Sequence, residues 1–387
     1  MKDSSTFSID SLLDVSTKKR EACVLAGPFL NMLDHTIPIA SILDIPLITK
    51  DPSIIFTFKK FYPPFKCQFK DWTIPYILEN FSTIFYGFNI KKNGTETWSF
   101  KRLIQEHREL DPHNSLYDLP VKFIYHFHGC SDKRWFEKNS HLEEVDQILF
   151  YGDHMIDLFK SLELYERVVS SAIVGNYRKA YYLKHQTFFD DLVEKEIFSK
   201  FKKKQFTILY APTWQDRTSA TSIFKAYSHV LDQLPSHYNL VLKLHPTLSC
   251  QIADYDPKML YDLLDPYARA PNIQIVPMLP CIYPILNKVD LYLGDHSSVG
   301  YDALSFNLPL FFINHDNRPK EDPTTHLFKA GRVLHNQDLP NFYKILDQEL
   351  PDDFSKYSEI RNKLYNYAFG KDLSYEKMKE RFKNFLI

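Results

Sequence analysis

The stretch Val289–Asn314, VDLYLGDHSSVGYDALSFNLPLFFIN, constrains the fold of this chain more than any other. An apolar, β-branched run, Val289–Leu293, ends in Gly294 and Asp295. Ser297 and Ser298 follow where a helix should start, and Val299–Phe306 carries apolar residues at helical spacing. Asn307 and Pro309 close that helix, and Leu310–Ile313 reads as the next buried strand. Strand, serine-bearing turn, helix, strand is half of a nucleotide-binding α/β domain. The turn offers backbone N–H groups and two hydroxyls at a helix N-terminus, which suits an anion. Ser297 has a plainer use as a helix cap, and the turn alone leaves both readings open.

The rest of the chain repeats the rhythm. After a polar Met1–Arg20, Ala22–Gly27 reads as a strand, Pro28–Asp34 as a loop, Thr36–Leu43 as a helix and Pro46–Thr49 as a strand. Ser82–Gly87, Val121–His128, Gln147–Gly152 and Ala172–Gly175 continue the series. Val121–His128 runs into Gly129–Lys133, a turn that should open a helix. Asp190–Phe201 is a charged amphipathic helix, and Lys202–Gln205 after it is the linker candidate. Strands Phe206–Tyr210, Leu240–Leu244, Ile273–Val276, Val289–Leu293 and Leu310–Ile313 then alternate with helical segments, which implies a parallel sheet covered on both faces. Helical patterns at Leu339–Leu350, Phe354–Ala368 and Ser374–Phe385 end the chain. With 387 residues and 44% hydrophobic content, two cores are affordable. The expectation is an α/β protein of two Rossmann-like domains, 1–195 and 205–370, facing across a cleft. Residues 371–387 form a C-terminal helix with the option of crossing back to the first domain.

Several function classes drop out. Forty-seven basic against 48 acidic residues leave a net charge of −1, so there is no electrostatic case for nucleic acid. Five cysteines without close pairing argue for a reducing compartment and against a disulfide or zinc framework. The N-terminus lacks the basic start and apolar core of a signal peptide, and no apolar run approaches the ~20 residues of a spanning helix. The chain therefore reads as cytoplasmic, soluble or at most peripheral at the inner face of the cell membrane. Ile54–Trp72 interleaves aromatics with Lys59, Lys60, Lys66 and Lys70 and is the one stretch suited to a membrane surface. Its plainer reading is an irregular connection whose aromatics reach the core, with Pro63 and Pro64 interrupting any amphipathic helix.

Ligands on parallel sheets bind beyond the C-terminal ends of the strands. That rule selects Ala211–Arg217, with Thr213 and Arg217, then His245, Ser297 with Ser298, and His128. Pro246 fixes the turn after His245. A donor-capable histidine, hydroxyls, an arginine and a helix N-terminus along one edge are what a diphosphate or phosphodiester leaving group requires. No cofactor is called for, and no carboxylate cluster points to an obligatory metal. His35, near the first loop, is an acceptor-side candidate or simply a structural histidine.

The segments ILYAPTWQDR, LVLKLHP and VDLYLGDHSSVGYDALSFNLPLFF resemble the CDP-glycerol glycerophosphotransferases, the teichoic-acid and capsule polymerase and primase family of the glycosyltransferase-B type. Upstream, FIYHFHGCSDK is similar to that family's strand ending in aromatic-His-Gly with a following Lys, and VGNYRK to its Gly-x-x-Arg turn. The likeness spans about Gln205–Arg332 and is thin in the first half outside Lys122–Lys133 and Val174–Lys179. His296 stands where the family usually has Tyr, Phe127 where it has Trp, and Cys130 where it has Thr. The resemblance implies a cytidine-nucleotide donor and a glycan or lipid-linked acceptor. It implies His128 as catalytic base and His245 at the donor phosphates. Ser297 and Ser298 would hold those phosphates, and Thr213 and Arg217 would lie beside them. Asp302 would reach the cytidine ribose or cap a neighbouring element. Other readings are a CMP-sugar glycosyltransferase, sialyltransferase-like, with Asp34 as its carboxylate base, and a non-catalytic binding subunit of the same fold. A UDP-sugar 2-epimerase would want a Gly-rich Asp-Ser-Gly-Gly turn that is absent.

Overall fold

The computed structural model describes residues 20–386 apart from 26–29, 66, 71, 88–89, 93–95, 134–141, 215–220 and 250–256. Fifteen strands occur among the described residues: β1 (Arg20–Leu25), β2 (Leu47–Thr49), β3 (Cys67–Phe69), β4 (Phe81–Tyr86), β5 (Ile90–Lys92), β6 (Glu96–Trp98), β7 (Lys122–His126), β8 (Gln147–Phe150), β9 (Ser171–Ile173), β10 (Phe206–Ala211), β11 (Tyr238–Lys243), β12 (Ile273–Val276), β13 (Leu291–Gly294), β14 (Leu310–Ile313) and β15 (Arg332–Leu334). They form a sheet ordered β3-β2-β1-β4-β7-β8-β9, a second ordered β12-β11-β10-β13-β14-β15, and a β5-β6 hairpin. Every pair inside the two large sheets is parallel. Central strands such as β11 and β13 are buried along their whole length, as strands covered on both faces must be. Each sheet reverses its winding once, between β1 and β4 and between β10 and β13. A ligand crevice belongs at those two points. The two-domain α/β fold expected from the sequence is the one that forms.

Boundaries shift where local signals compete. The first helix starts at Leu30 and runs to Leu43, so the expected loop to Asp34 is shorter and His35 lies on a helix. The cause is burial: Leu30, Leu33, Ile37 and Ala40 keep helical spacing across it. The helix placed at Asp190–Phe201 is Gln186–Glu196 with a 3-10 turn at Phe198–Lys200. The two helices expected on either side of Pro351 are one, Phe342–Phe369. Proline removes one helical hydrogen bond, but buried Leu346 and the buried Asp353–Arg361 pair, at 2.7 Å, hold the helix on both sides of it. No helix begins within Gly129–Lys133, and the residues after it, like Met1–Lys19, lie outside those described. In the lysine-rich segment, Pro52–Phe61 is a helix that buries Ile54, Phe58 and Phe61 and exposes Phe56, Lys59 and Lys60.

The two halves pack as one body. The apolar core of the first sheet continues into Tyr283, Tyr301, Leu304, Ala368 and Phe369 of the second half. The final helix, Tyr375–Leu386, lies back on the first half. Tyr375 donates to the Ser41 carbonyl at 2.8 Å, and Phe382 meets Tyr177 edge-on at 5.8 Å. Between the halves sits a buried ion triad. Arg178 donates to both carboxylate oxygens of Asp302, at 2.9 and 2.8 Å, and to the carboxylate of Asp34. Its guanidinium lies over the Tyr283 ring at 5.1 Å, and the Tyr283 hydroxyl stands 2.9 Å from Asp302 Oδ1.

Candidate active site

The second sheet's crevice is framed by the turns after β10 and β13, locked together by one buried carboxylate. Asp295 accepts from the Thr213 N–H at 2.8 Å, and from the N–H and hydroxyl of Ser222 at 3.0 and 2.7 Å. Thr213 is thereby fixed at the strand end. His245 follows β11 and stacks on Trp214, ring centroids 6.2 Å apart. Burial first, then the positive charge of Lys133 and Lys243, pushes His245 well below the ordinary histidine range. Pro246 opens a 3-10 turn, Pro246–Ser249, immediately after it.

Ser297 Oγ accepts the Val299 N–H at 3.3 Å, a serine turn leading into the helix whose N-cap position is Ser298. That helix is shorter than expected, Val299–Ala303 continued by a 3-10 turn at Leu304–Phe306. An anion held here therefore draws more on hydroxyls and N–H groups than on a macrodipole. Ser298 faces the first half. A Cβ on Gly129 would stand 2.7 and 2.8 Å from its Cβ and Oγ, and Gly129 has φ +132°. Only glycine lets the turn after β7 approach the serine turn so closely.

His128, on that same turn, is half-buried, and burial with the charge of Lys133 lowers it to about 4. Lys133 Nζ donates to Thr213 Oγ1 at 2.8 Å, joining the two halves across the cleft. Its charge also bears on His245 and His296. Next to it, Asp132 takes His154 Nε2 at 2.8 Å, the Tyr301 hydroxyl at 2.7 Å and the Leu327 N–H at 3.0 Å. Asp132, His154 and His326 bring ligand atoms within 4.8 Å of one another and form the donor set best suited to a cation among the described residues. Asp132 and His154 are, however, already satisfied by each other, by Tyr301 and by the Cys130 thiol, 3.5 Å from His154 Nδ1.

The structure thus gathers Thr213, Ser298 and His128 with Lys133 at one cleft, with His245, Pro246 and Ser297 on the turns around it. Two candidates fall elsewhere. Asp302 neither reaches toward a ribose nor caps an element, because both its oxygens are held by Arg178 and Tyr283 in the buried triad. His35 is buried behind Gly129, and its Nδ1 lies 2.8 Å from the Tyr151 hydroxyl. Arg217 lies outside the described residues. Lys133, Asp295 and Trp214 were not assigned roles from sequence. Asp295 and Lys133 carried usable signals, an acid directly after a strand-ending glycine and a lysine after a His-Gly turn.

No curated protein matches the chain. Among solved structures it is similar to the wall teichoic acid polymerase TagF, with a TM-score of 0.63 at 14% identity over 95% of this chain and 88% of that one. It is similar to S. aureus MnaA in its co-structure with UDP, with a TM-score of 0.57 at 15% identity over 95% and 96%. It also matches Anabaena Alr3699/HepE in complex with UDP-glucose, with a TM-score of 0.52 at 10% identity over 95% and 98%. These likenesses carry the fold, two facing α/β domains of the glycosyltransferase-B type. Residues 182–368, which hold β10 to β15 and the second-half turns of the cleft, match the model of CDP-glycerol:poly(glycerophosphate) glycerophosphotransferases.

Proposed function

We propose that the chain transfers glycerol phosphate from CDP-glycerol to a hydroxyl of a glycan or lipid-linked glycan and releases CMP. The observation that carries this is the coincidence of the family match with the cleft: the matched residues supply Thr213, His245, Ser297 and Ser298. The acceptor hydroxyl attacks the β-phosphorus, the bond from that phosphorus to the bridging oxygen breaks, and CMP departs. His128 takes the hydroxyl proton from the first-half side. His245, Thr213 and the serine turn hold the phosphates, and Lys133 balances their charge. Positioning and charge stabilisation do most of this work, as in other phosphoryl transfers. A CMP-sugar glycosyltransferase would need Asp34 as its base, but that carboxylate is buried against Arg178.

CMP or CDP at ~100 times Kd should stabilise the fold by about 2.7 kcal/mol, read as a thermal shift, and UDP should do clearly less. Equal shifts with CDP and UDP, or none with either, reject the cytidine donor.

No helix among the described residues is long and apolar enough to cross a membrane. For a lipid-linked acceptor, the exposed Phe56, Lys59 and Lys60 form the surface we assign to the bilayer. Weak, salt-sensitive binding to anionic vesicles is expected. Co-sedimentation beside a Lys59→Ser, Lys60→Ser, Lys66→Ser, Lys70→Ser variant checks it, and identical behaviour removes the idea.

A further inference from the structure

His296 sits between Asp295 and Ser297 on the turn after β13. Both of its ring nitrogens are buried, and neither has a hydrogen-bond partner among the described residues. Buried polar groups in native proteins are nearly always satisfied, so an exception calls for an explanation. Packing does not supply one, because Phe328, whose ring lies at a 67° angle to the imidazole with centroids 5.0 Å apart, offers no polar partner. His296 lines a cavity shared by the two halves, with Ser131, Lys133, Ser297 and Thr324 among the other lining residues. The space is about 230 Å³ with its open mouth included. That space is continuous with solvent, so one end of a donor lying in the cleft can reach the ring.

The chemistry of the ring narrows what that end is. Burial first, then Arg318 and Lys133, lowers His296 to about 4, against the pull of Asp132 and Asp316. The imidazole is therefore neutral near pH 7, with one nitrogen donating and the other accepting. An anion only accepts, and would leave the second nitrogen orphaned. A hydroxyl both donates and accepts, so it can meet either nitrogen, and a polyol can bring one to each face of the ring that opens on the cavity. Lys133 on the same wall supplies the cation for a phosphate joined to such a group.

We propose that His296 is a specificity-determining residue that hydrogen-bonds hydroxyls of the donor's polyol, in the cavity between Lys133 and Ser297. The proposal rests on the polyol-phosphate reading above and adds which residue distinguishes one polyol from another. His296→Phe keeps the ring and its packing on Phe328 while removing both nitrogens, and His296→Gln returns one donor and one acceptor.

The test has a kinetic arm and a binding arm. With CDP-glycerol and CDP-ribitol as donors, His296→Phe should lower kcat/KM by roughly tenfold or more, mainly through KM, with the ratio between donors flattened. His296→Gln should recover part of the loss. In binding, wild type should hold CDP-glycerol more tightly than CDP, His296→Phe should erase that difference, and CMP should bind both proteins alike. Unchanged kcat/KM for both donors overturns the proposal, as does CMP affinity falling in step with turnover. If wild type turns over neither donor, the transfer reading is what fails. The binding arm still decides on His296, since a CDP-glycerol preference that survives His296→Phe overturns it.

Discussion

Replacing Arg178 by methionine is expected to destabilise the protein by about 3–5 kcal/mol at pH 7, the usual cost of removing one partner from a buried ion pair. The side chain is 4% exposed, and its loss strands Asp302 at 2% and Asp34 at 7% exposure. Even with Arg178 present, burial holds both carboxyls above the ordinary range, against the lowering effect of the guanidinium. A carboxyl raised in the folded state favours folding in its protonated form. That contribution is complete below the unfolded pKa and is lost as pH rises through the folded one. Without the guanidinium the two pKa values rise further, so the defect should be largest at neutral pH and shrink toward pH 4. Urea denaturation of Arg178→Met at both pH values reads this directly. A variant in which Asp34→Leu and Asp302→Leu accompany Arg178→Met should regain most of the stability, because buried triads are often replaceable by apolar groups. A defect independent of pH, or below about 1 kcal/mol, removes the triad as the pin between the halves.

That triad shows where the sequence stops being legible. Strands β12 and β14 can be read to the residue because each is a short apolar run, broken only by Gln274 in β12, bounded by turn residues. The strand-end rule then finds Thr213, His245, Ser297 and His128 without any tertiary information. Asp302 looks the same from sequence, one helical turn beyond the serines. What decides its role is Arg178, 124 residues earlier, and no local pattern carries that pairing. Three-residue edge strands such as β3 and β15 give too little period-2 signal to detect. The unbroken helix through Pro351 reverses a sound local rule, because tertiary burial on both sides of the proline outweighs its cost. Lys133 was visible as the lysine after a His-Gly turn. Its bond to Thr213 across the cleft was not, since it exists only once both sheets face each other.

His128→Ala should cut turnover by roughly 10²–10⁴, the usual worth of a general base, while CDP binding by thermal shift stays near wild type. His245→Ala should weaken both, because its phosphate partner is present in the ground state and the transition state alike. The pH profile carries more information than either number. In the free protein His128 is lowered to about 4, by burial and then by Lys133. It is therefore neutral, and able to accept a proton, at every pH well above 4, and is lost as base only below that. The acid limb of kcat/KM, which reports the free enzyme, should fall near pH 4 rather than at the ordinary histidine value of about 6.5. Donor phosphates bound beside Lys133 cancel the charge that depresses His128, so the acid limb of kcat, which reports the loaded enzyme, should lie higher. Lys133→Met removes that charge without a donor and should raise the kcat/KM limb toward the kcat limb. If both limbs sit near 6.5 in wild type, or if His128→Ala keeps turnover within tenfold of wild type, the base is another group. His35, buried behind Gly129 and bonded to Tyr151, is then the residue to replace next.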